Sequence, residues 1–153
     1  MVRSAGRRVS ETLFSELPRG ADDVLRLALE GEGLPTDDLD APHCTFFSLS
    51  DGQGPIGYIG LEGCGADRLL RSLVVLPSRR CAGFGQAIVR ALEAAAAGEV
   101  ARLHLLTTGA APFFRALGYA DAARAEAPEA ISATAQFTSL CPSSAAYLVK
   151  ELG

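Results

Sequence analysis

Residues 69 to 98 limit the possible folds most. Leu69-Leu70-Arg71-Ser72-Leu73-Val74-Val75 is followed by Pro77, by Gly83 and Gly85, and then by Ile88, Val89, Leu92 and Ala96 at helical spacing up to Gly98. The first run is apolar on both sides of an alternating chain, as in a strand buried at the centre of a sheet. Pro77 ends it, because proline has no N–H to give to a ladder. The second run is an amphipathic helix over Gly83 to Ala97, closed by glycine. A central strand, a glycine loop and a covering helix must therefore be adjacent in space.

The remaining chain supplies partners. A first strand is expected near Arg8 to Leu13. A helix over Ala21 to Glu30 would place Val24, Leu25, Ala28 and Leu29 on one face. Leu34 to Leu39 reads as a turn or short helix. Cys44 to Ser50 and Ile56 to Glu62 form a hairpin around Asp51-Gly52-Gln53-Gly54-Pro55, where glycines permit positive φ. Ala101 to Thr107, Tyr119 to Arg124 and Tyr147 to Glu151 read as strands, Ala111 to Leu117 as a short helix before Gly118, and Pro128 to Thr134 as a helical turn. Cys141 to Ser144 reads as a loop. This order describes an α/β (α+β) sheet with helices on its faces, and not a doubly wound alternation.

At 153 residues the chain is expected to form one domain over 1–153. A net charge of -4 argues against nucleic acid as a partner. No apolar run approaches the roughly 20 residues of a membrane span, so no membrane partner is expected and the cytoplasm is the default location. Cys44, Cys64, Cys81 and Cys141 are far apart in sequence and form no C-x-x-C pair, so no metal site is expected.

The loop Arg79-Arg80-Cys81-Ala82-Gly83-Phe84-Gly85 carries the chemistry. Amides at a helix N-terminus lack helical partners and carry about half a positive charge in sum, which draws a phosphate. Glycine lets a diphosphate approach the main chain, and Arg79 and Arg80 add charge at the mouth. Ile88 occupies the third glycine position of a dinucleotide fingerprint, and no Gly-Lys-Ser or Gly-Lys-Thr is present. A strand-to-helix turn that uses glycine only as a cap is the alternative.

Leu73-Val74-Val75-Leu76-Pro77-x-x-Arg80-x-x-Gly83-x-Gly85 resembles the acyl-CoA signature of the GCN5-related N-acetyltransferases, the GNAT superfamily. The resemblance implies a mixed, mostly antiparallel central sheet with a splayed strand pair and helices on both faces, and acetyl-CoA as co-substrate. It implies that Arg80, Cys81, Ala82, Gly83, Phe84 and Gly85, flanked by Arg79 and Gln86, hold the pyrophosphate. Leu73, Val74 and Val75 would line pantetheine beside a bulge, and a backbone N–H near Leu73 to Val75, with Val74 as the candidate, would stabilise the oxyanion. Downstream, Thr107-x-x-Ala110-x-x-Phe113-Phe114-x-x-x-Gly118-Tyr119 is similar to a family pattern that has asparagine at the first position and tyrosine at the position of Phe114. Thr107 and Phe113 would then border the cofactor. The tyrosine's role as acid to the thiolate does not carry over.

Arg124, Pro128, Ile131, Thr134, Gln136-Phe137 and Leu140-Cys141-Pro142-x-Ser144-Ala145 resemble the arsenic-resistance N-acetyltransferase subgroup, which implies a small amino-acid-like amine as acceptor. For such an acceptor Glu62, at a strand end, is the candidate base, with an ordinary solvated glutamate as the alternative. Arg71 and Arg124 are candidate forks for its carboxylate. Ser72, Thr134 and Phe137 are further candidate contacts, each with a structural role as its alternative. His43 and His104 read as structural. A monomer or homodimer is expected. Two other functions stay open: a non-catalytic CoA-binding accessory module, and a thiol-based arsenic-binding protein.

Overall fold

A computed structural model of the chain describes residues 12–18, 23–34, 36, 39, 41, 43–80, 83–140 and 144–152. Cys81, Ala82, Cys141 and most of the segment expected as the first strand lie outside the described residues. The first described strand, β1, is Leu13–Glu16, later in the chain than the expected Arg8 to Leu13. It is held to the edge of the sheet by Phe14, which stacks on Phe47 with ring centroids 5.1 Å apart.

The helix α1, Asp23–Gly31, buries Leu25 and Leu29. Val24 is 58% exposed, so the buried stripe is narrower than the sequence spacing suggests. Then come the hairpin strands β2, Cys44–Asp51, and β3, Gly54–Glu62, and the long strand β4, Asp67–Val75. A single 3-10 turn, Pro77–Arg79, leads to α2, Phe84–Ala96. The chain continues through β5, Arg102–Thr107, α3, Ala111–Ala116, β6, Ala120–Asp121, α4, Glu129–Ser132, and β7, Ala146–Glu151.

Two segments differ from their sequence reading. The strand expected over Tyr119 to Arg124 is reduced to two residues, because Arg124–Glu126 coils into a 3-10 turn. Alanines at 122 and 123 offer the ladder no β-branched or aromatic side chain to pack. After α4, Gln136–Leu140 adopts a π-helical turn that no periodicity announces.

The described strands form one sheet in the order β1-β2-β3-β4-β5-β7-β6, with β4 at its centre. Every neighbouring pair is antiparallel except β4 and β5, which run parallel. Parallel neighbours need a crossover, and α2 provides it. One face of the sheet packs Leu49, Ile59, Leu61 and Leu70 against Ile88, Val89 and Leu92 of α2. The other packs Phe46, Tyr58 and Val74 against Leu25 and Leu29 of α1. Beside Leu69, Ile131 of α4 meets Tyr147 of β7. This is the mixed, mostly antiparallel sheet with helices on both faces that the sequence resemblance implies.

Candidate active site

Two irregularities in β4 create the site. β4 and β5 pair only over Asp67–Arg102, Arg68–Leu103 and Leu69–His104, and beyond Leu69 they splay apart. The β3 register also slips: Tyr58 faces Val74 but Gly60 faces Arg71, so β4 carries one extra residue there. Ser72 takes that residue's strain, with φ at 61°, a left-handed conformation unusual for a side chain with a Cβ. The bulge moves Leu73 to the α2 face, where a regular strand would have placed residue 72.

The orientation of the peptide groups follows. The Leu76 N–H donates to the Ile56 carbonyl at 2.9 Å, which sets the alternation of the β3–β4 ladder. Val74 therefore turns its peptide groups toward β3, and those of Val75 lie on the open edge. The Arg80 Nε accordingly reaches the Val75 carbonyl at 2.8 Å. Val74 is thus removed as the oxyanion donor, since its N–H is committed to the ladder. Its side chain still borders the groove.

A groove of about 780 Å³ opens along this edge, lined by Leu73, Val75, Arg80, Gly85, Thr107 and Phe113 among others. The first turn of α2 forms its end. Gly83 precedes the helix with φ at 77°, and the Ala87 N–H is the first to bond back, to the Gly83 carbonyl. The amides of Phe84, Gly85 and Gln86 have no acceptor within the helix, which is the condition a phosphate site requires. Phe84, Gly85 and Gln86 all line the groove. Phe113 lies on Gly85, and the Thr107 hydroxyl accepts the Ala110 N–H at 2.9 Å, closing the turn before α3.

Of the two loop arginines only Arg80 faces the groove. Arg79 bends back to the β2–β3 hairpin, donating to the Pro55 carbonyl at 3.2 Å and pairing with Asp51. Its guanidinium also lies over the Phe84 ring, 5.6 Å from the centroid. Arg79 therefore fixes the loop from behind and is not placed to touch a phosphate.

A second cavity, about 230 Å³, lies where the strands splay and shares Leu34, Leu73, Thr107, Thr108 and Ala110 with the groove. Its own wall includes Arg71, Ser72, Phe114 and Gln136. Arg71 is buried; its Nη1 donates to Glu62 Oε1 at 3.0 Å, its Nε to Ser72 Oγ at 3.1 Å, and its guanidinium lies over Phe46. Glu62 lines neither cavity. It stands behind Arg71, and its contact with the second cavity is through that guanidinium.

Three other expected contacts also lie elsewhere. Thr134 is buried, its hydroxyl donating to the Ile131 carbonyl at 2.8 Å. Arg124 donates to the Ala145 carbonyl at 3.3 Å and lies over Phe137, whose ring meets Tyr147 edge-on. None of the three lines the second cavity. Gln136, one residue before Phe137, does, and the π-helical turn is what directs it there. Local sequence held no signal for that turn beyond the Gln136-Phe137 string itself.

His104 is buried at the last rung before the splay, with Nε2 2.8 Å from Asp67 Oδ1 and Nδ1 2.7 Å from the Tyr147 hydroxyl. Since a carboxylate only accepts, Nε2 carries a proton and donates to Asp67, while Nδ1 and the tyrosine hydroxyl share the second hydrogen bond. This is the structural histidine that the sequence suggested. Cys44 is buried with its sulfur 3.7 Å from Arg71 Nη1, and Cys64 is exposed. Among the described residues no three of His, Cys, Asp and Glu gather as metal ligands. No helix among them is long and apolar enough to cross a membrane.

A sheet that splays beside a helix N-terminus, with an open strand edge between, offers an anion site at one end and unpaired main-chain groups along its length. A family model described as Acetyltransferase (GNAT) domain matches residues 42–121, just over half of the chain, and the protein belongs to that family. No curated protein matches the sequence. Among solved structures, N-acetylglutamate synthase from Neisseria gonorrhoeae, complexed with coenzyme A and N-acetyl-glutamate, is similar over 95% of this chain, with a TM-score of 0.77 and 18% identity. This chain spans only 36% of that protein's length. A GNAT-family acetyltransferase from Staphylococcus aureus Mu50 is similar over 94% of this chain and 100% of its own, at a TM-score of 0.71 and 15% identity. An aminoglycoside 6'-N-acetyltransferase complexed with coenzyme A gives a TM-score of 0.64 and 19% identity, over 92% of this chain and 97% of its own.

Proposed function

We propose that this protein transfers the acetyl group of acetyl-CoA to the primary amine of a small acceptor that also carries an anionic group, as amino acids and their toxic analogues do. The charge of the second cavity carries the acceptor half of this reading. Among the described residues its lining has one cation, Arg71, which Glu62 pairs from behind, and no acidic side chain. A polycationic acceptor such as an aminoglycoside or polyamine would find no carboxylate among these residues, whereas a carboxylate would meet a guanidinium held in place by Glu62 and Ser72. The N-acetyl-glutamate found with the Neisseria synthase, a similar fold, agrees with this preference. So does the resemblance of the C-terminal third to the arsenic-resistance subgroup, which makes resistance to an arsenic-containing or other toxic amino-acid analogue the physiological role we favour.

The groove fits the donor, with helix amides and Arg80 at one end and an apolar, open-edged strand along its length. Acetyl-CoA supplies a thioester carbonyl and a thiol leaving group. Leu73 lines both cavities, so its N–H, the first after the bulge, is the group we assign to the developing oxyanion in place of Val74. Such a donor lowers the barrier by about 3 kcal/mol in other acyl transfers. The α-amine of a free amino acid is mostly protonated at neutral pH, so it loses one proton to solvent before it attacks and a second, also to solvent, as the amide forms. With Phe114 buried where a tyrosine would stand, the thiolate departs unprotonated, which a thiol pKa near 8.5 permits.

The test is acetyl-CoA-dependent thiol release across glutamate-like amino acids, phosphinothricin-like compounds, polyamines and aminoglycosides. Turnover is expected with the anionic amines. Turnover confined to the polycations would overturn the acceptor assignment. CoA binding without turnover on any amine would favour the accessory-module reading.

A further inference from the structure

The donor groove has an acidic residue where it must receive an anion. Glu32 follows α1, in a turn closed by the Glu32 N–H to the Leu29 carbonyl at 3.1 Å and the Leu34 N–H to the same carbonyl at 3.0 Å. It is the one acidic side chain lining the groove among the described residues, and its carboxylate pairs with Arg80 Nη2. Arg80 is the arginine of the phosphate loop that faces the groove, and the helix amides of Gly83 to Gln86 stand beside it. We propose that Glu32 is a resident counter-anion of Arg80 that a diphosphate displaces on binding, so that Glu32 sets the affinity and salt dependence of donor capture. This inference rests on the donor assignment above.

Two observations give the pair this character. The Arg80 and Glu32 side chains keep 43% and 35% of their surface exposed, so the pair is held against water and salt and can exchange partners. By contrast, Arg79 is 14% exposed and Asp51 11%, and that pair has a structural task in fixing the hairpin to the loop. Meanwhile Arg80 Nε stays on the Val75 carbonyl, so the guanidinium is already aimed into the groove before an anion arrives. The exchange then needs only the Glu32 carboxylate to swing away. Gly33 and Leu34 of the same turn wall the second cavity, which joins the donor's arrival to the acceptor's surroundings.

The measurement is calorimetric binding of CoA, and separately of inorganic pyrophosphate, to the full chain and to Glu32→Gln and Glu30→Gln, at low and moderate salt. Glu30 is exposed on α1, does not line the groove, and controls for the change in net charge. Glu32→Gln should bind both ligands about fivefold more tightly at low salt, with the gain shrinking as salt rises. Glu30→Gln should leave both affinities unchanged. Unchanged or weaker binding by Glu32→Gln, or an equal gain in Glu30→Gln, overturns the counter-anion role while leaving the donor site intact. If the unaltered protein binds neither CoA nor pyrophosphate, the donor assignment fails and the role of Glu32 fails with it.

Discussion

A methyl group at Gly85 would lie 3.4 Å from the Phe113 ring and 3.7 Å from Val75 Cγ2, ordinary contact distances on the groove wall. Alanine in place of glycine in a helix is worth up to about 1 kcal/mol. Gly85→Ala should therefore raise the melting temperature by about 2–4 °C while weakening CoA binding several-fold, since the methyl occupies the space a diphosphate needs. Thermal denaturation and titration calorimetry on one preparation check both signs. If affinity is kept, the phosphate does not approach this turn. Ser72 gives the opposite case. At φ 61° a β-branched residue is badly strained, so Ser72→Val should cost about 1–3 kcal/mol and remove the oxygen that accepts from Arg71 Nε. Denaturant unfolding reads the cost; stability equal to that of the native chain would mean the bulge relaxes. The two positions differ in how legible they were. Gly85 belongs to a short motif in which the glycine's purpose can be argued from local chemistry. The strain at Ser72 arises from a register slip against β3, a long-range property absent from a window of sequence. The same holds for Glu62, whose place at a strand end was legible but whose partner Arg71 is fixed only by the β3–β4 pairing.

The runs from Cys44 to Glu62 and from Leu69 to Ala97 were legible as elements because their periods are unambiguous and their ends carry glycine or proline. The π-helical turn at Gln136–Leu140 and the two-residue β6 were not, since each depends on packing against β7 and neighbouring loops. The splay itself has a chemical anchor. At its closed end the Asp67 carboxylate takes two hydrogen bonds from Arg102, at 2.7 and 3.1 Å, and faces His104 on β5. The Arg102 hydrogen bonds, with a smaller contribution from His104, pull the Asp67 pKa down to about 2 against burial. In the unfolded chain the same group titrates near 4. A folded-state pKa below the unfolded one means that the contribution is fully present above about pH 4 and is lost as pH falls toward 2. Unfolding midpoints followed from pH 5 to 2 should show this loss, and Asp67→Asn should flatten the corresponding part of the profile. Equal slopes in the two proteins would show that the β4–β5 rung does not depend on this carboxylate.

At the scale of the whole molecule, the groove joins parts that the sheet alone leaves apart. Beyond Leu69 nothing in the β4–β5 ladder holds the two strands, and the groove runs from the open edge of β4 to the first turn of α2 and the start of α3. A ligand filling it would bind the native state through all three and would find no such site in the unfolded chain. At 100 times its dissociation constant such a ligand stabilises by about 2.7 kcal/mol. For a chain of this length that corresponds to a rise of about 5–10 °C in melting temperature. Acetyl-CoA and CoA should both produce it, because the acetyl group adds little to the contacts along the groove. A glutamate-like acceptor alone should produce much less, since the second cavity has less than a third of the groove's volume. Thermal denaturation in the presence of each ligand separates these cases. No shift at saturating acetyl-CoA would remove the groove as the donor site, whatever the similarity of the fold.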